Sequence, residues 1–90
     1  MRLTYRIRRS MGADAVVFSL SGELDDEHAA GVRTLLAAET ETPILLDLKD
    51  VTLVDREAVR FLARVEASGV RIVNCPEYVR TWIAAENAGS

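Results

Sequence analysis

Ninety residues, 49% hydrophobic and 28% charged, are expected to form one globular domain with no second core. A net charge of −3 argues against nucleic-acid binding by the surface as a whole, and the short basic strip Arg6, Arg8 and Arg9 is too small to reverse that. No run approaches the ~18 apolar residues of a membrane span, the start lacks the apolar block of a signal peptide, and the single cysteine, Cys75, allows no internal disulfide, which together point to the cytoplasm.

Leu3, Tyr5 and Ile7 alternate with Thr4, Arg6 and Arg8, the period of a strand with one wet face. Met11-Gly-Ala-Asp14 supplies a turn, and Val16, Phe18 and Leu20 alternate again, so the chain opens on an antiparallel hairpin. A helix follows from Asp25 to Glu39, with Ala29, Val32, Leu35 and Leu36 inward. Its first turn carries Asp25, Asp26 and Glu27, where the helix dipole favours acids.

After Thr40-Glu-Thr-Pro43, the apolar run Ile44-Leu-Leu-Asp-Leu48 reads as a strand covered on both faces. A second helix begins at Asp55, with Val59, Leu62 and Val65 inward, and Ser68-Gly69 ends it. Val70 to Val73 form another strand. Pro76 opens a last helix whose apolar face is Tyr78, Val79, Trp82 and Ile83. The domain runs over residues 1–86, with 87–90 as a loose tail. The order β-β-α-β-α-β-α implies an α/β fold with a mixed sheet, parallel after its opening hairpin and packed by helices.

Two stretches carry a family resemblance. Ser19-Leu-Ser-Gly-Glu-Leu-Asp25 resembles the L-x-G-E-L-D segment of STAS domains, found in anti-sigma factor antagonists and sulphate transporters. Leu45-Leu-Asp-Leu-Lys-Asp-Val-Thr-Leu-Val-Asp55 is similar to that family's second acidic segment, with Asp47 and Asp55 at the two acidic positions. The resemblance covers roughly residues 14–85 and implies the anti-sigma factor antagonist fold.

It also marks a departure. Phosphoregulated members carry D-S-S-G at the start of the second helix, and a partner kinase phosphorylates the second hydroxyl. Here the four residues are Asp55, Arg56, Glu57 and Ala58, so no hydroxyl remains in the motif. Glu57 stands at the acceptor position. A phosphate brings −1.5 to −2 charges and three acceptor oxygens, a carboxylate −1 and two, so Glu57 is at best a partial, permanent imitation of the modified state. The plainer reading gives Glu57 a favourable place on the helix dipole and makes Asp55 the N-cap.

Arg56, Arg60 and Arg64 follow at i, i+4 and i+8 along one helical face. They form either a solvated ridge, with Glu57, Asp55 or Glu66 offsetting their repulsion, or a surface for an acidic partner or a phosphate. With Asp55 and Glu57 they are the candidate partner-binding residues. Other candidates are weaker. His28 is a lone surface histidine without metal-ligand spacing. Cys75 precedes a helix start, which lowers thiol pKa values, but it lacks a base and reads as structural. Asp47 and Asp50 flank a strand end and suit turn or cap roles. Trp82 and Tyr78 read as core-facing. No phosphate loop, dinucleotide fingerprint or nucleophile elbow occurs, so no catalytic residue, metal or cofactor is assigned.

The expected function is a non-catalytic, regulatory interaction module resembling an anti-sigma factor antagonist, with a protein partner and no phosphorylation at the usual site. The alternative is a small-ligand module, since some members of the resembled family are associated with nucleotides or lipid-transport machinery. Self-association through the first strand or last helix stays open.

Overall fold

The computed structural model describes residues 5–41 and 43–89. Leu3 and Thr4 of the expected first strand, Thr42 of the following linker and Ser90 of the tail lie outside the described residues. The elements are β1 (Tyr5–Met11), β2 (Val16–Leu24), α1 (Asp26–Ala38), β3 (Ile44–Val54), α2 (Arg56–Ala67), β4 (Arg71–Val73) and α3 (Glu77–Gly89).

The sheet order is β1-β2-β3-β4, antiparallel between β1 and β2 and parallel elsewhere. Gly12 to Ala15 close the hairpin through a 2.7 Å hydrogen bond from Gly12 N to Ala15 O. Each crossover steps to the next strand in the same direction, which puts α1 and α2 on one face of the sheet. The core follows from that geometry. Val16, Phe18 and Leu20 of β2, Leu46 and Leu48 of β3, and Ile72 of β4 point into it. Ala29 and Val32 of α1, six residues of α2, and Val79 and Ile83 of α3 meet them there.

Asp55 and Asp25 cap α2 and α1 through their side chains. Gly69, at φ +112°, ends α2. Gly69 N donates to Glu66 O and Val70 N to Val65 O, the paired bonds of a Schellman turn that a residue with a Cβ adopts only under strain. At the other helix start the proline is displaced by one position. Pro76 lies just outside α3 and its carbonyl accepts from Arg80 N at 2.9 Å, so it precedes the helix instead of opening it.

Several expectations are corrected. β3 is not covered on both faces: Leu46 and Leu48 are buried, while Leu45 and Asp47 keep partial exposure on the other side. The strand is also longer, reaching Val54, because β-bulges beside Ser19–Ser21 and Gly22–Glu23 keep it paired with β2 beyond Leu48. Leu35 is 43% exposed, since α1 needs only the narrow stripe of Ala29, Val32 and the half-buried Leu36 against its neighbours. In α3, Val79 and Ile83 are fully buried, whereas Tyr78 and Trp82 are 44% and 47% exposed. Tyr78 and Trp82 precede the buried pair by one residue each, which turns them about 100° around the helix. Asn87, Ala88 and Gly89 continue α3, supported by the helix-favouring Ala84, Ala85 and Ala88, where the sequence suggests a loose tail.

Candidate functional site

The start of α2 is held by one carboxylate. Asp55 Oδ1 accepts from Ala58 N at 2.8 Å, satisfying a helix donor that would otherwise lack a partner. Oδ2 accepts from Asp26 N, the first residue of α1, at 3.3 Å. Asp55 N donates to Leu24 O at 3.2 Å. Asp55 therefore joins two helix starts at the end of the sheet. Both its oxygens face backbone donors, which suits a structural anchor better than a proton acceptor. Beside it, Asp25 Oδ1 accepts from His28 N at 2.9 Å.

Glu57 points outward from the same turn, its side chain 53% exposed, and pairs with Arg60 Nη1 at 3.1 Å. Arg60 Nε also lies 3.9 Å from Glu86 Oε1 of α3. Glu66 does not serve the arginine ridge as the sequence suggests. It accepts from Arg80 Nη1 through both oxygens, at 2.8 and 2.9 Å, and ties α2 to α3. The ridge is thus neutralised at its centre and open at its ends. Neither Arg56 nor Arg64 makes an ion pair with a described residue. Arg56 lines a groove of about 260 Å³ between α2 and α3, with Val59, Trp82, Ala85 and Glu86. Tyr78 meets Trp82 edge to face, with ring centroids 5.7 Å apart. The structure brings Asp55, Arg56, Glu57 and Arg60 together around the first turns of α2, and Arg64 lies farther along the helix.

His28 is not a free surface histidine. Its ring stacks on Tyr5 with centroids 3.9 Å apart, and Nδ1 lies 2.8 Å from Glu23 O. A Cβ at Gly31 would come within 3.0 Å of the Tyr5 hydroxyl, so the glycine makes room for this stack. A tyrosine and a histidine separated by a whole strand, β2, give no sequence signal of such a contact. Cys75 packs partly against the core, and burial pushes its thiol up, the reverse of activation at a helix start. Asp47 lies inside β3 instead of at its end, accepting from Lys49 N at 2.9 Å and Asn74 Nδ2 at 3.2 Å. Among the described residues no group of three or more His, Cys, Asp or Glu side chains gathers as a metal site, and no helix is long and apolar enough to cross a membrane.

The family model described as Mlab, STAS domain matches residues 7–84. Among solved structures, the chain is similar to Mglu, with a TM-score of 0.59 and 28% identity over 78% of this chain, but it spans only 19% of that protein. It is also similar to an anti-sigma-factor antagonist STAS domain from Rhodobacter sphaeroides, with a TM-score of 0.54 and 20% identity over 79% of this chain and 87% of that one. An uncharacterized protein with a SpoIIAA-like fold from Shewanella loihica gives a TM-score of 0.59 and 17% identity over 94% and 80%. The last two likenesses are of fold. No curated protein matches the chain.

Proposed function

This chain belongs to the STAS domain family, and from that premise we propose that it works by association with a regulatory protein, of the kind that anti-sigma factor antagonists bind, and not by catalysis. The partner docks on the edge formed by Asp55, Arg56, Glu57, Arg60 and Arg64. Docking is not governed by phosphorylation at the position where the resembled antagonists are modified. One observation supports this reading: an exposed glutamate, Glu57, is paired to Arg60 at 3.1 Å on a helix start that Asp55 fixes, and the motif resemblance assigns that position to the acceptor. The segment Asp55 to Ala58 offers no hydroxyl to a kinase.

The ends of the ridge, which make no ion pair with a described residue, support the same reading. Arg56 and Arg64 present guanidinium groups suited to carboxylates, and burying them against acidic side chains of a partner supplies charge-assisted hydrogen bonds. The deciding experiment is capture from native lysate with wild-type bait and an Arg56→Glu/Arg60→Glu/Arg64→Glu bait, each checked for an unchanged melting profile. The triple variant should lose the specific partner. Equal retention by both baits would mean that the arginine edge is only a solvated face.

A further inference from the structure

The face of the sheet turned away from the helices carries a second set of polar groups, unrelated to the α2 edge. Arg6 is paired across the hairpin with Ser21, and Arg8 with Ser19. On the other side of β2, Ser21 is paired with Asp50. Alternation sends Arg6, Arg8, Ser19 and Ser21 outward, while Ile7, Leu20 and Leu48 turn to the core, and the bulge that shifts the β2–β3 register between Ser19 and Ser21 turns Asp50 outward beside them. Together with the Leu20 backbone they line a concavity of about 240 Å³.

None of the five has its polar needs met by another described residue. Arg6 and Arg8 form no ion pair, not even with Asp50, and neither serine hydroxyl nor the Asp50 carboxylate makes a hydrogen bond with a described group. Their neighbour Arg9 shows the alternative. It turns to the covered side and is held by both oxygens of Glu39, at 2.6 and 3.1 Å. Surface arginines often stay unpaired, but here two guanidinium groups, two half-buried hydroxyls and one carboxylate share a single hollow.

We propose that this hollow binds a small phosphomonoester that carries a neighbouring hydroxyl group. Residues two apart on a strand sit roughly 6.8 Å apart along it, so Arg6 and Arg8 approach one anion from two directions. A tetrahedral phosphate, with three acceptor oxygens, satisfies two forks at once; a planar carboxylate matches one. The serine hydroxyls add donors. Asp50 repels bare phosphate and accepts from an alcohol, so it selects a phosphate attached to a polyol.

The test uses the full chain, isotopically labelled, titrated with glycerol 3-phosphate, inorganic phosphate and glycerol while backbone amide shifts are followed. Glycerol 3-phosphate should give saturable shifts at residues 6, 8, 19, 21 and 50, and bind about tenfold more tightly than inorganic phosphate. Arg6→Gln and Arg8→Gln should each weaken binding about tenfold or more, with unchanged melting temperatures because both side chains are exposed. Asp50→Asn should remove the preference over inorganic phosphate. No saturable response, a response confined to the α2 arginines, or binding indifferent to Arg6→Gln and Arg8→Gln would each overturn the proposal. Equal affinity for the two phosphates in the wild-type chain would overturn the role given to Asp50 and with it the polyol.

Discussion

The two faces of the sheet are made from the same strands and hold different kinds of residue. On the helix side, Phe18, Leu20, Leu46, Leu48 and Ile72 lock against α1, α2 and α3. On the other side the neighbours of those residues, Val17, Ser19, Leu45, Asp47 and Val73, are only partly covered. Crossovers stepping one way across the sheet concentrate the buried apolar surface on one face. The second face contributes little to folding, which leaves its polar residues free to serve recognition. The α2 edge sits between these extremes: Asp55 works for the fold, while Arg56 and Arg64 beside it make no ion pair with a described residue.

The sharpest way to break that contrast is to truncate adjacent leucines on β3. Leu46 is fully buried, and Leu46→Ala should cost about 2–5 kcal/mol, through lost transfer energy and the cavity left behind. Leu45→Ala, one residue earlier on the open face, should cost less than about 1 kcal/mol. Denaturant unfolding followed by circular dichroism gives both values. Equal losses would mean that something covers the open face after all.

The next test asks how much Asp55 belongs to the fold. Asp55→Ala removes the acceptor for Ala58 N and for Asp26 N, so it should destabilise by about 1–2 kcal/mol. Asp55→Asn retains an acceptor oxygen and should recover part of that loss. A fully stable Asp55→Ala variant would shift this residue from anchor to partner contact.

Much of this layout is legible in the residues. Alternation in Val16, Phe18 and Leu20 locates β2, and Asp55 and Gly69 mark the ends of α2, because caps and left-handed turns have narrow residue preferences. What sequence misses depends on neighbours. Leu45 and Leu46 look alike in a continuous apolar run; only the crossovers decide that one face of β3 stays open. Tyr78 and Trp82 look apolar and regularly spaced, but Val79 and Ile83 share that spacing and win the core. The hollow of Arg6, Arg8, Ser19, Ser21 and Asp50 joins three strands, so no local motif announces it. Of the α2 edge, the cap and the i,i+3 pair of Glu57 with Arg60 follow from spacing. The engagement of Glu66 by Arg80 requires α3 to be in place.

A smaller effect comes from the link between β1 and the end of α1. The hydrogen bond from Arg9, aided by the Glu41 amide, holds the Glu39 carboxyl at about 2, below its ordinary 4.5. A depressed folded-state value contributes stability above the unfolded pKa, and that contribution is lost as pH falls from about 4.5 through about 2. Carboxyl-carbon NMR titration should therefore find Glu39 ionised at pH 3.5 in the wild-type chain. Arg9→Gln should move its midpoint back toward the ordinary value and flatten this part of the acid dependence. An unchanged midpoint would show that the pair is not formed in solution.

The smallest effect on stability concerns Glu57, and its smallness is what makes it useful. Its carboxylate gains from the dipole of α2 and from Arg60, but both partners are well exposed. Glu57→Gln should therefore cost only about 0.3–0.8 kcal/mol at low salt, and less at 1 M salt, where the screening length falls to about 3 Å. Arg56→Ala, which removes no ion pair to a described residue, should cost no more. Partner capture can then be compared across these two variants without a folding defect to confuse it. A tenfold loss of partner binding with a fractional change in stability assigns the carboxylate or guanidinium to recognition. If binding and stability change together and equally little, Glu57 is a helix-start residue like any other and has no role in docking.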